Sequence, residues 1–413
     1  MPHAVTAKIK PVLSALGILN ALGHDKPSVL DQLLSGYAPG MQRQLGWLSG
    51  CECLVGSVRQ ALPALPPALA SLDCRNNRLL FAALKQIEQD ITAAIAVYGR
   101  DRIGVVIGSS TSGILEGESA LRKKKQSGYW PEDYHYRQQE IGSPAECVAR
   151  LLDLPGIAYT VSTACSSSAK ALGSARQLIE MGLCDAVICG GADSLCRLTL
   201  NGFQALEALS HSRCDPFAEK RNGITIGEGA AVFLMERDGT RLQSNTIYFS
   251  GIGESSDAHH ISAPQPQGLG AEKAMRAALS DASITASNIH YINLHGTATP
   301  LNDSMESDAV FRVFSDNTPC SSTKPLTGHT LGAAGATEAG LCWLLLSSFN
   351  HQRLLPAQIN SGLPDNNLQP IKLLHNSTIL PDVHTQRMLS NSFAFGGSNT
   401  AVILETSSRK TTQ

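Results

Sequence analysis

At 413 residues the chain is longer than one simple core holds, so two units or one large α/β body are expected. Charged residues make up 16% of it and hydrophobic ones 43%, against a charged share of roughly 25% in ordinary domains, which implies extensive buried surface and leaves room for a subunit interface. With 33 basic against 35 acidic residues there is no electrostatic pull toward nucleic acid or a membrane surface.

Residues Met1 to Lys10 read as a loose leader without a signal peptide. Pro11 to Ala21 reads as a strand that turns at Gly17, and Lys26 to Ser35 as a helix. Gly36 to Pro67, rich in Gly and Pro, reads as a long surface excursion. Arg75 to Val97 carries Leu79, Leu80, Ala83, Leu84, Ile87, Ile91 and Ala94 near one face, predicting one amphipathic helix. Arg102 to Ser109 reads as a buried parallel-type strand ending in the turn Ser109-Ser-Thr-Ser-Gly113. A helical piece with the basic run Arg122-Lys-Lys-Lys125 follows, then a short helix over Pro144 to Leu152.

Ile157 to Val161 is β-branched and aromatic and predicts a short buried strand, and Ala169 to Met181 predicts a helix. Further strands are expected at Ala186 to Ala192, Gly229 to Met235, Thr246 to Gly253 and Ile289 to Leu294, the last ending at His295. Helices are expected over Gly270 to Ala282, Ser304 to Phe314 and the nearly all-apolar Ala333 to Phe349. Met388 to Asn391 and Thr400 to Glu405 close the chain as strands around a Gly-rich turn. This alternation predicts an α/β body with parallel strands and no floppy linker. The apolar run Leu341 to Phe349 is too short to span a bilayer.

Cys165 lies between a predicted strand and helix, in Val161-Ser-Thr-Ala-Cys165-Ser-Ser-Ser-Ala-Lys170. Free N–H groups at a helix start favour thiolate over thiol, and a thiolate is the nucleophile of acyl transfer. A buried structural cysteine is the alternative at this point. The 11 cysteines are odd in number, and Cys51-Glu-Cys53 has no matching second pair, so neither a zinc site nor a disulfide framework is indicated, and free thiols in a reducing cytoplasm are expected. His259 and His260 are adjacent and point different ways, a poor metal pair that fits a loop beside a site.

Three further stretches decide between the readings of Cys165: Asn293-Leu-His295-Gly-Thr297-Ala-Thr299-Pro300; Ser322-Thr-Lys324-Pro-Leu-Thr-Gly328-His329, running on to Glu338; and Asn391-Ser-Phe393-Ala-Phe395-Gly396-Gly397-Ser398-Asn399. Each follows or flanks a predicted strand, at the carboxyl end where open α/β sheets bind ligands. With Asp215-Pro-Phe217, Arg221-Asn-Gly223, Gly227-Glu-Gly229 and Ser256-Asp257-Ala-His-His260, these words resemble the Cys-His-His ketoacyl synthases of the thiolase superfamily, the elongating ketoacyl-ACP synthases of fatty-acid and polyketide synthesis. The match runs from about Pro11 to Glu405, and the Ala38-Pro-Gly-Met41 stretch, the Arg75-Asn-Asn77 helix start and Ser110-Thr-Ser-Gly113 resemble ketosynthases of aryl-polyene pathways.

The resemblance implies two similar mixed α/β halves, 11–237 and 245–405, in a five-layer αβαβα body. It implies that Cys165 takes an acyl chain from acyl carrier protein, with N–H groups of Cys165 and Phe395 as oxyanion hole, about 3 kcal/mol per donor, and that Phe395-Gly-Gly is a gating loop in which Phe395 moves to admit the second substrate. His295 and His329 would hydrogen-bond the malonyl thioester and stabilise the enolate left by loss of CO₂. Lys324 and Glu338 would orient and balance charge, and Thr297, Thr299, Phe393 and His260 would contact substrate. Thr111 would reach across a dimer to the partner's acyl pocket. No metal or redox cofactor is implied, since acyl groups arrive on phosphopantetheine. Partners implied are acyl carrier protein, docked on Arg122 to Lys125 or Arg213, and either a second copy or a chain-length-factor-like subunit that lacks the nucleophile. A degradative thiolase or an initiating synthase would carry a second Cys or an Asn in place of the two-histidine pattern, and a cysteine hydrolase would not need the carbon-nucleophile apparatus.

Overall fold

The computed structural model describes residues 10–237 and 246–407. Apart from Lys10, the expected leader lies outside the described residues, as does the segment between the two expected halves. The first half contributes strands β1 (Val12–Leu19), β2 (Ile103–Gly108), β3 (Ala158–Val161), β4 (Ala186–Asp193) and β5 (Gly229–Glu236). The second contributes β6 (Ile247–Ser256), β7 (Tyr291–Asn293), β8 (Cys320–Ser321), β9 (Thr385–Phe393) and β10 (Ser398–Ser407). Together they form one sheet ordered β8-β7-β9-β10-β6-β1-β5-β4-β2-β3. Read outward from the β1–β6 seam, the order is 1-5-4-2-3 on one side and 6-10-9-7-8 on the other, the same path taken twice. The seam itself rests on the single pair Val12–Tyr248. The expected parallel sheet is only partly so: β4-β2-β3 and β9-β7-β8 run parallel, while β1-β5-β4 and β6-β10-β9 are antiparallel.

The helices are α1 (Lys26–Ser35), α2 (Arg75–Lys85), α3 (Glu88–Tyr98), α4 (Ile114–Ser127), α5 (Ser143–Leu151), α6 (Ser167–Glu180), α7 (Arg197–Ala205), α8 (Leu269–Asp281), α9 (Pro300–Phe314), α10 (Lys324–Thr327) and α11 (Ala334–Leu346). Three apolar clusters show how they stack. Leu79, Leu80, Ala83 and Val148 of α2 and α5 pack on Ile103, Val105 and Ile107 of β2. Ala271, Ala274, Met305 and Ala309 of α8 and α9 pack on Ile292 and Leu389. Between them, Ala169, Leu172, Ala175, Ala336, Leu341 and Leu345 of α6 and α11 contact both half-sheets through Val106, Phe233, Met388 and Val402. The result is an αβαβα stack with α6 and α11 at its centre. Gly335 makes their close approach possible, because a Cβ there would lie 2.7 Å from the Ala169 Cβ.

Three local expectations are corrected. β1 runs straight through Gly17, whose missing side chain is needed for packing: a Cβ would stand 2.0 Å from the Ala83 carbonyl oxygen of α2. The single helix over Arg75 to Val97 is two, broken at Gln86-Ile87. The Gln86 amide is drawn to the uncovered edge of β1, accepting from Ile18 N–H (3.2 Å) and donating to Ile18 O (3.0 Å). β3 is an edge strand rather than a buried one, with Ile157 at 36% and Tyr159 at 37% exposure. The Gly36 to Pro67 excursion contains a two-stranded hairpin, Met41–Gln44 with Cys53–Gly56.

Candidate functional site

Cys165 stands in the turn between β3 and α6. Ala164 takes a left-handed conformation (φ 51°), which swings the next residue out of the strand line. The Ser167 hydroxyl accepts the Thr163 N–H (2.8 Å) and the Ser166 hydroxyl donates to Thr163 O (2.8 Å), so serines close the turn that presents the thiol. His295 follows β7, and Glu306 of α9 holds it by accepting from His295 N–H (2.8 Å) and Gly296 N–H (2.7 Å). His329 follows α10, its N–H donated to Thr225 O (2.7 Å).

These elements bring His329 Nε2 within 3.0 Å of Cys165 Sγ, and the His295 and His329 rings meet edge to face at 5.5 Å. Lys324 and Glu338, 1% and 2% exposed, form a buried ion pair. The same ammonium donates to His295 O and lies 3.3 Å from His295 Nδ1. An ammonium can only donate, so Nδ1 accepts and Nε2 carries the ring hydrogen. Phe395 presents its N–H to the Cys165 sulfur. A cavity of about 260 Å³ opens over the group, lined by Cys165, His295, His329, Thr297, Thr299, Phe393 and Phe395. The Thr297 and Thr299 hydroxyls lie 3.1 Å apart on its wall, and Phe393 stands edge-on to His295 at 6.0 Å. A larger depression of about 500 Å³ is lined by Arg75, Arg78, Glu116 and Lys123 and touches none of these residues.

Burial lowers both histidines well below the ordinary imidazole range, helped by the Lys324 charge, so both are neutral. Burial pushes the Cys165 thiol up to about 11, against the Lys324 charge and the Phe395 N–H. The thiolate expected from the helix start is thus overridden by desolvation: the resting pair is a thiol facing a neutral imidazole. Cys165, His295 and His329 place their ligand atoms within 4.8 Å of one another, the arrangement of a three-donor metal site. The Lys324 cation beside His295, and the hydrogen this leaves on Nε2, make that ring a donor instead of a ligand.

Two expected residues fall elsewhere. Thr111 is 1% exposed and gives its hydroxyl to Asp193 (2.7 Å), so its side chain faces the interior of its own chain. Asp193 is buried and also accepts from Ser109, Ser110 N–H and Ala333 N–H, and this demand turns Thr111 in. His260 is exposed, and its Nδ1 accepts from Ser262 N–H (3.2 Å); the cavity is lined instead by Ser262 and Ala263 of that loop. Sequence reasoning missed Phe203, whose ring meets Phe395 at 5.5 Å, and the Asn399–Asp257 bond (2.7 Å) under the glycine turn. Asp257 lies in Ser256-Asp257-Ala-His-His260, where its acidic side chain beside a glycine-rich partner turn is the available signal, and nothing in the sequence marks Phe203.

Glu306 gives a pH prediction. Burial pushes it from 4.5 up to about 7, above its unfolded value. Its contribution to stability is therefore full below the unfolded value and is lost as pH rises through the folded one. Glu306→Gln is expected to flatten the fall of Tm between about pH 5 and about pH 7.5. An equal slope in thermal melts of both proteins would remove Glu306 as the cause.

Comparison with known proteins agrees with this geometry. The family models described as "Beta-ketoacyl synthase, N-terminal domain" and "Beta-ketoacyl synthase, C-terminal domain" match residues 66–241 and 248–361. The 3-oxoacyl-[acyl-carrier-protein] synthase 2 of Rhizobium meliloti (strain 1021) is 37% identical over 322 residues, 73% of each chain. Nodulation protein E of the same strain is 31% identical over 408 residues, 94% of this chain and 97% of its own. A chain from the complex of the ketosynthase ApeO with its chain length factor ApeC, from Xenorhabdus doucetiae, superposes with a TM-score of 0.91 at 48% identity, covering 98% of this chain and 100% of that one.

Proposed function

This chain belongs to the β-ketoacyl synthase family, and on that footing we propose that it joins an acyl-Cys165 thioester to malonyl-ACP with loss of CO₂, giving a 3-oxoacyl-ACP two carbons longer. The observation that carries the roles is the 3.0 Å contact of His329 Nε2 with Cys165 Sγ, beside a His295 whose Nδ1 lies 3.3 Å from Lys324. In the first half-reaction His329 takes the thiol proton as sulfur attacks the acyl-ACP thioester, and returns it to the leaving pantetheine thiolate. The Phe395 N–H, with that of Cys165, meets the oxyanion. In the second, His295 Nε2–H and His329 bind the malonyl thioester oxygen and hold the enolate charge when CO₂ departs. The enolate carbon attacks the acyl group, and the released Cys165 thiolate regains a proton from solvent. His329 serves both halves because its Nδ1 has no protein partner, so nothing pins its tautomer. Thr297, Thr299 and Phe393 line the way in for pantetheine, and no metal or redox cofactor takes part.

We read the pathway as aryl-polyene elongation with a chain-length-factor-like partner. The similarity to a chain of a ketosynthase–chain length factor complex supports this, as does the exposed β3 edge, a strand ready to pair with another subunit. A homodimer in saturated fatty-acid elongation is the second reading. No helix among the described residues is long and apolar enough to cross a membrane, which fits work in the cytoplasm on carrier-bound chains. The test is intact-mass spectrometry with saturated, polyunsaturated and aryl-enoyl ACPs, then malonyl-ACP, with and without the partner. Aryl-polyenoyl loading followed by two-carbon extension supports the specialised pathway, whereas preference for saturated chains rejects it.

For the carrier protein we propose docking on α4, where the Lys124 ammonium lies 4.3 Å from the Trp130 ring centroid. Changing Lys123, Lys124 and Lys125 to Glu is expected to raise KM for acyl-ACP about 10-fold at low salt, with kcat kept. An unchanged KM would move the docking site elsewhere, with Arg213 the next candidate.

A further inference from the structure

We propose that Ser166 and Ser398 form a latch that registers the glycine-rich loop on the nucleophile turn, making them positioning residues for acyl loading. The inference rests on the reading of Cys165 as acyl acceptor. Their hydroxyl oxygens lie 3.0 Å apart, and Ser166, adjacent to Cys165, is fully buried. The Ser166 hydroxyl also lies 2.8 Å from Thr163 O and 3.0 Å from Thr163 Oγ1, so the turn fixes its position.

Ser398 is the first residue of β10 and follows Gly396 (φ 84°) and Gly397 (φ 75°), the two left-handed residues at which the loop can bend. Ala394 N–H donates to Ser398 O (2.9 Å), closing the loop at its base. Phe395 sits inside this closed loop with its N–H on the Cys165 sulfur and its ring on Phe203. The outer side of the loop is held to the Asp257 segment by two backbone bonds, Gly396 N–H to Ile261 O and Asp257 N–H to Gly397 O, both 2.8 Å, and by the Asn399–Asp257 side-chain bond. The serine pair therefore joins the inner base of the loop to the turn that carries the nucleophile. It holds the Phe395 donor over the sulfur while the acyl chain is transferred. A bond between two neutral hydroxyls is weak enough to break and re-form as the loop bends at Gly396 and Gly397.

The experiment is a double-mutant cycle on the full chain, with Cys165 acylation by acyl-ACP followed by intact mass and condensation measured separately. Ser166→Ala and Ser398→Ala are each expected to slow acylation about fivefold, with KM for malonyl-ACP unchanged or lower. The double variant is expected to be no slower than either single one, and Ser398→Thr, which keeps the hydroxyl, to recover the rate. Equal Tm values across the series exclude a general loss of fold. Effects that multiply in the double variant, or single variants that load at the wild-type rate, overturn the latch alone. A wild-type protein that takes no acyl chain, with the chain-length-factor-like partner present as well as without it, overturns the functional reading and the latch with it.

Discussion

Cys165→Ala is expected to take up no acyl chain from any carrier and to lose condensation by roughly 10⁶-fold, the scale of removing a covalent nucleophile. The reason is chemical: the remaining site holds two neutral histidines and Lys324, none placed to carry an acyl group. The same variant is expected to keep releasing CO₂ from malonyl-ACP, because His295, His329 and the Lys324–Glu338 pair do not depend on the sulfur for their places. Glu306 anchors the His295 backbone and Thr225 anchors that of His329. Intact mass after incubation with acyl-ACP, and CO₂ release measured alongside, separate the two halves. A mass gain in the variant would move the nucleophile to another residue, and loss of both activities would mean that the thiol also holds the histidines in place.

Lys324→Met is expected to cost both stability and rate. The pair it breaks is buried on both sides, and a buried charge left without its partner typically costs about 3–5 kcal/mol. Burial already pushes the Glu338 carboxyl upward against the pull of Lys324, so without Lys324 it takes a proton, and the cost is expected near the lower end of that range in mildly acid buffer. The catalytic loss has a separate origin. Without the ammonium at Nδ1, the His295 ring is free to put its hydrogen there and offer the malonyl oxygen a lone pair in place of a donor. Losing one such donor costs on the order of 10²–10³ in rate. Lys324→Met combined with Glu338→Leu removes both charges, and it is expected to regain most of the stability but none of the decarboxylation. Denaturant melts and CO₂ release on the three proteins test this. A double variant that recovers activity would reduce the pair to a structural contact.

Much of the site was legible because its chemistry is written in contiguous words. Cys165, His295, His329, Lys324 and Phe395 each lie in a stretch of small residues and turn formers next to a strand, and the fold brings those strand ends together. The regular elements were legible for the same local reason. α1 carries its own cap, with Asp25 accepting the Ser28 N–H (2.9 Å), and α11, apolar apart from Thr337 and Glu338, is buried on every face.

What the sequence alone determined is the kind of element each segment forms and the set of reactive groups, because propensity, periodicity and side-chain chemistry are properties of a few neighbouring residues. What only the tertiary structure decided depends on partners far along the chain. Gln86 breaks a helix to satisfy Ile18, 68 residues away, and Asp193 turns Thr111 inward from 82 residues away. The antiparallel members of each half-sheet follow from strand order, which no single strand encodes. The protonation of Cys165 likewise reverses the local reading. A helix start stabilises a thiolate through the nearest N–H groups, but desolvation is summed over everything packed around the sulfur, and here the larger sum prevails.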